Sequence, residues 1–115
     1  MLTLTVTPEQ LTRLQALSQE ARVPEAGTHV HNFIAPLIYF LSLVKPKSIL
    51  EIGCYRGIST EAFCLMSDQV TVVDPFLYPE AKEEFHKRME PYKDKLTVIE
   101  GYSPVALKDI PDGTF

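Results

Sequence analysis

Apolar residues recur along this chain with two different periods, and the change of period divides it. From residue 7 to residue 44 the spacing is helical. Thr7-Pro8-Glu9-Gln10 has the form of a helix start, with Thr7 as N-cap, Pro8 in the first turn and Gln10 closing a capping box. Leu11, Leu14 and Leu17 follow at helical spacing, which predicts a first helix running to about Arg22, ahead of Pro24. Residues 23–28, with Pro24 and Gly27, read as a loop. A second helix is predicted over residues 30–44. There Val30, Phe33, Ile34, Leu37, Ile38 and Leu41 make the stripe of a strongly buried face, in the core or at a dimer interface. Pro36 falls inside it, as a kink or as the true first turn, and Lys45 and Pro46 end it.

Beyond Pro46 short apolar runs alternate with amphipathic stretches. Strands are predicted at Ser48–Ile52, residues 70–73 and residues 96–99. Helices are predicted at Ile58–Met66 and residues 80–89, the second charged and stopped before Pro91. Gly101-Tyr-Ser-Pro104 reads as a turn into a short helical piece over residues 105–108. Strands separated by helices of this length predict an α/β fold with a parallel sheet, and right-handed crossovers set its spatial order as 3-2-1. In a doubly wound sheet the first strand is central, so further strands belong on its other side. Asp112-Gly-Thr-Phe115 reads as the approach to a fourth. Left open, the edge at Ile49, Leu50 and Ile52 exposes side chains each worth about 1.5–3 kcal/mol when buried, against about 5–15 kcal/mol for a whole domain. The edge is therefore expected to be covered, by a symmetric partner or by a C-terminal half.

Composition narrows the classes. A chain of 115 residues with 45% hydrophobic and 23% charged residues is globular and at most one domain. Its net charge of −4 argues against a dedicated nucleic-acid binder. No apolar run reaches the length of a membrane span. The N-terminus lacks the charged region and cleavage site of a signal peptide, so a cytoplasmic location is expected. Cys54 and Cys64 form neither a disulfide framework nor a zinc set and are expected as reduced thiols. Cys54 precedes a helix, where a thiolate is stabilised, but a small residue fitted to a tight turn explains it better.

The chemistry concentrates in Ser48-Ile-Leu-Glu-Ile-Gly-Cys-Tyr-Arg-Gly-Ile-Ser-Thr60 and Val70-Thr-Val-Val-Asp74. A strand runs into a glycine loop, the loop opens a helix, and the next strand ends in a carboxylate 21 residues beyond Gly53. Gly53 and Gly57 let the backbone turn sharply and let a ligand approach it. Glu51 is an acid in a buried strand, so a cationic partner is expected. A dinucleotide site requires G-x-G-x-x-G, and Tyr55 replaces its second glycine, obstructing a pyrophosphate.

With Glu51, Gly53 and Gly57 spaced as E-x-G-x-x-x-G, the segment resembles the motif of class I S-adenosyl-L-methionine (SAM)-dependent methyltransferases. The nearest branch is the small-molecule O-methyltransferases, including catechol-O-methyltransferase-like enzymes. The likeness covers only the first half of their fold. It implies an incomplete Rossmann-like three-layer sandwich, with residues 1–46 an N-terminal helical segment and residues 47–115 the first half of the SAM-binding domain. It implies that Glu51 holds the amino-acid end of SAM, that Ser59 donates to its carboxylate, and that Asp74 takes the ribose hydroxyls. Cys54 and Tyr55 belong to the same cofactor loop. Tyr102 and Ser103, after the third strand, are candidates to edge the adenine, and Pro75 and Phe76 to wall it.

Other polar residues read plainly. His29 and His31 stand two apart on a helix and point to different sides, so no metal site is expected. In the resembled enzymes a helix preceding the first strand lies close to the active site, which implies that His29 to Asn32 reach the substrate. His86 belongs to a solvated face, and Arg56 is read as a surface residue. The implied reaction is in-line attack of a small-molecule nucleophile on the sulfonium methyl, governed by positioning. The residues that would supply a base or metal ligands lie beyond residue 115 in that family, so no catalytic residue or metal ligand is named. Two other readings stand beside it: a non-catalytic SAM-binding subunit completed by a partner, and a nucleotide-dependent oxidoreductase. A homo-oligomer or a partner completing the sheet is expected.

Overall fold

The computed structural model describes residues 6–21 and 34–115. Helix α1 (Pro8–Glu20) begins with the expected reciprocal cap. The Thr7 hydroxyl accepts from the Gln10 N–H at 3.1 Å, and the Gln10 side chain accepts from the Thr7 N–H at 2.9 Å. Leu14 and Leu17 are fully buried, whereas Leu11 lies at the rim. Helix α2 (Ile34–Val44) has Pro36 in the first turn of its described part; Val30 and Phe33 lie outside the described residues. No described helix is long and apolar enough to cross a membrane.

Three parallel strands follow, β1 (Ser48–Ile52), β2 (Gln69–Asp74) and β3 (Leu96–Glu100), in the spatial order β1-β2-β3. Helix α3 (Ile58–Met66) links the first pair and α4 (Pro79–Met89) the second. In register, Glu51 stands beside Val72 and Val72 beside Val98. Strand alternation puts these on one face. There Val70 and Val72 pack with Cys64 of α3 and with Phe85 and Met89 of α4. A second cluster joins Leu14, Leu17, Ala21 and Ile34 to Ile58 and Ala62, so α1 and α2 stack on the outer side of α3. Leu50, Ile52, Val73 and Ile99 belong to neither cluster. β1 forms one edge of the sheet, and Ile52 on it is 55% exposed. The fold is the incomplete Rossmann-like arrangement that the pattern implies; Asp112–Phe115 form turn and coil.

A charged cluster ties the helices together, and its partners are too far apart in sequence to be read from it. Glu61 on α3 is buried. It accepts two hydrogen bonds from Arg13 of α1, both at 2.7 Å, one from Arg88 of α4 at 3.2 Å and one from the Tyr92 hydroxyl at 2.5 Å. Arg88 also pairs with Glu20, closing the ring from α4 back to α1. Burial pushes the Glu61 carboxyl up, but the hydrogen bonds from Arg13 and Tyr92 outweigh it and hold the group below its ordinary value. Its contribution is therefore complete above the ordinary carboxylate range and is lost as pH falls through the depressed value.

Removing Glu61 strips Arg13 of both its bonds to the carboxylate, and takes one partner from the buried Arg88 and one from the Tyr92 hydroxyl. Glu61→Ala is expected to lower unfolding free energy by about 3 kcal/mol at neutral pH. Urea denaturation measures this, and the difference from wild type should shrink in acid.

Candidate functional site

The C-terminal ends of parallel strands are where α/β sheets bind ligands. Here the chain leaves β1 through Gly53, whose N–H still bonds the Val73 carbonyl at 2.9 Å. Gly53 has φ +85°, and a Cβ there would meet nothing within 4 Å. Its α-carbon faces open space. Tyr55 also adopts a positive φ, 48°, an uncommon conformation for a residue with a side chain. The loop closes when the Gly57 N–H bonds the Cys54 carbonyl at 2.8 Å, and Gly57, at φ +87°, starts α3. A Cβ on Gly57 would lie 2.8 Å from Phe85 and 3.3 Å from Arg88. The missing side chain of Gly57 is therefore also what admits α4 at this point.

Asp74 ends β2 and ties this loop to the next one. One carboxylate oxygen accepts from the Cys54 N–H at 2.8 Å, the other from the Phe76 N–H at 2.7 Å. A carboxylate has about four acceptor positions, so each oxygen keeps one for a ligand. Asp74 lines a pocket of about 200 Å³ with Gly53, Tyr55, Pro75, Phe76, Leu77, Tyr78, Ala81 and Lys82. Complete small-molecule sites occupy roughly 300–1,000 Å³. The Tyr55 and Tyr78 rings meet edge to face, 6.0 Å between centroids. Phe76 is held against Phe85 and stacks on His86, and the Lys82 ammonium sits 5.6 Å from its ring while pairing with Glu100. His86, exposed as expected, thus also braces the pocket wall.

Glu51 lies behind this pocket. It is buried, and its two oxygens accept from the Ser59 and Thr60 hydroxyls at the start of α3. Among the described residues its partners are hydroxyls and not a cationic side chain. Burial is the main influence and pushes the Glu51 carboxyl up to about 7, against the two hydroxyl bonds and with help from nearby Asp74. The Ser59 hydroxyl donates to Glu51, so its proton is committed within the protein. Cys54 is buried, and burial together with the Asp74 and Glu51 carboxylates pushes its thiol up, so no thiolate forms there. Arg56, expected to be a free surface residue, pairs with Glu84 at 3.2 Å and lies 5.3 Å from the Tyr55 ring centre.

Of the residues singled out in the sequence, Gly53, Tyr55, Asp74 and Pro75 line the pocket, and so does Phe76. Glu51, Cys54, Gly57 and Ser59 support it from behind. Tyr102 and Ser103 are exposed beyond β3 and are not among its lining residues. His29, His31 and Asn32 lie outside the described residues. Sequence reasoning missed Leu77, Tyr78, Ala81 and Lys82. The available signal was the apolar run Pro75-Phe-Leu-Tyr-Pro79 between a strand end and a charged helix.

No family model matches the sequence, and no curated protein matches it. Solved structures do resemble the fold. The cofactor-bound protein Rv0187 from MTB aligns with a TM-score of 0.63 at 20% identity, over 98% of this chain and 53% of that one. The SAH-bound methyltransferase PaMTH1 of Podospora anserina aligns with a TM-score of 0.62 at 24% identity, over 91% and 47%. A candidate O-methyltransferase from Klebsiella pneumoniae gives 0.59 at 20%, over 95% and 50%. The chain therefore has the Rossmann-like fold of these proteins and spans about half their length.

The two glycines should separate by substitution. Gly53→Ala meets backbone strain alone and is expected to cost about 1–2 kcal/mol. Gly57→Ala adds a clash with Phe85, raising the loss by about 1–3 kcal/mol more; urea midpoints compare the two. Glu51 gives a pH signature. Because its folded value is raised, the Glu51 contribution to stability is complete below pH about 4.5, falls as pH rises to about 7, and is level above. Glu51→Gln is expected to remove that decline, making the variant more stable than wild type at pH 8 by up to roughly 3 kcal/mol, with little difference at pH 4.5.

Proposed function

We propose that this chain is the cofactor-binding half of a SAM-dependent methyltransferase acting on a small-molecule acceptor. One observation carries the reading. Asp74, at the tip of β2, faces an aromatic pocket beside an unobstructed glycine backbone at the tip of β1, in a fold shared with methyltransferases. Two adjacent ribose hydroxyls match the two acceptor positions left on this carboxylate. The rings of Tyr55, Phe76 and Tyr78 with Pro75 and Leu77 supply the apolar enclosure that a purine needs. A pocket of this size takes the nucleoside end of the cofactor.

The remaining residues position this site. Glu51 keeps a carboxyl behind the glycine loop that only hydroxyls accompany, and a ligand ammonium would favour its ionised form. Asp74 fixes both loops through the Cys54 and Phe76 amides, so the ribose acceptors are preorganised. The cofactor supplies an electrophilic methyl group on a sulfonium. Tyr55 in place of a second glycine disfavours a pyrophosphate and hence a dinucleotide. The setting we propose is cytoplasmic, where the buried free cysteines stay reduced.

Calorimetric titration with S-adenosylhomocysteine (SAH) and with NADH tests the proposal. SAH is expected to bind with micromolar affinity, NADH not measurably. Asp74→Ala, checked for folding by circular dichroism, should weaken SAH by about 100-fold, since each hydrogen bond to a charged group is worth about 1.5–3 kcal/mol. A folded wild-type chain that ignores SAH, or a variant that binds it equally well, overturns the assignment.

A further inference from the structure

Helix α2 is apolar on all sides. Its residues Ile34–Val44 include no charged side chain, and the Ser42 hydroxyl is satisfied internally, donating to the Tyr39 carbonyl at 2.6 Å. One face, with Ile34, Leu37, Ile38 and the cluster around Leu14, packs on α1 and α3. The opposite face carries Tyr39, Phe40, Leu43 and Val44, each 51–56% exposed. Positions i, i+1, i+4 and i+5 make one continuous stripe. A helix that is apolar all round is ordinarily buried all round.

The stripe has the area of an interface core. A fully buried aromatic covers about 150–250 Å², so half-exposed Tyr39 and Phe40 leave roughly 200 Å² uncovered. Leu43 and Val44 bring the stripe to roughly 400 Å². A standard interface takes about 800 Å² from each partner, with roughly 60% of it apolar. The stripe supplies most of that apolar share.

We propose that this stripe is a homodimer interface, with α2 of two chains packed antiparallel across a two-fold axis. A two-fold interface requires a self-complementary patch. This one has no charge with which to select a different partner. Antiparallel pairing sets the bulky Tyr39 and Phe40 of one chain against the smaller Leu43 and Val44 of the other, so ridges meet grooves. The Tyr39 hydroxyl then reaches the wet rim. The proposal is independent of the cofactor reading.

Sedimentation velocity across the micromolar range tests it. The wild-type chain is expected at twice its chain mass. Leu43→Glu places a charge in the interface and should raise the dimer dissociation constant at least about 100-fold, leaving the circular dichroism of the folded chain unchanged. Tyr39→Glu is the second variant if Leu43→Glu fails to fold. A wild-type chain that stays monomeric overturns the proposal. So does a dimer indifferent to both variants but split by Ile49→Pro, which would place the contact on the free edge of β1.

Discussion

The Asp74 carboxylate organises the pocket at the C-terminal ends of β1 and β2. Its two oxygens hold the amides of Cys54 and Phe76, and those amides belong to the loops leaving β1 and β2. Without that bond each loop would present an unpaired N–H beside a low-dielectric interior, an expensive arrangement. With it, the two loops become one wall. The same group thus builds the pocket and offers acceptors within it.

Behind this wall the fold handles two buried carboxylates in opposite ways. Glu61 is surrounded by Arg13, Arg88 and Tyr92 and stays ionised, linking α1, α3 and α4. Glu51 has, among the described residues, the Ser59 and Thr60 hydroxyls as its partners, and burial raises it to about 7. The first arrangement holds the helices together, and Arg88 also donates to the Arg56 carbonyl in the glycine loop at 3.1 Å. The second leaves a carboxyl beneath the glycine loop whose charge a bound cation would settle. Both act on α3, which also carries the hydrophobic contact between the helical layer and the sheet.

Much of this was legible locally. The limits of β1 and α3 follow from an apolar run broken by a glycine loop, and the start of α1 from Thr7 and Gln10. The parallel order followed from strands alternating with helices. What was not legible is what depends on partners distant in sequence. That Gly57 also makes room for Phe85 of α4 shows only once the two are placed together. Glu51 calls for a partner by charge alone, and the Ser59 and Thr60 hydroxyls that reach it are set by how α3 docks. The Arg13–Glu61–Arg88 cluster joins three helices and leaves no local signature. Tyr78 and Lys82 reach the pocket because α4 begins immediately beside it, which the charged pattern of that helix conceals.

The central claim is that Asp74 and the two loops it joins form a nucleoside site. Amide hydrogen exchange with and without SAH, resolved by residue, tests it most directly. Slowed exchange at Cys54, Phe76 and their neighbours in both loops is the expected result. Unchanged exchange in those loops, with protection appearing elsewhere on a folded chain, would contradict the account.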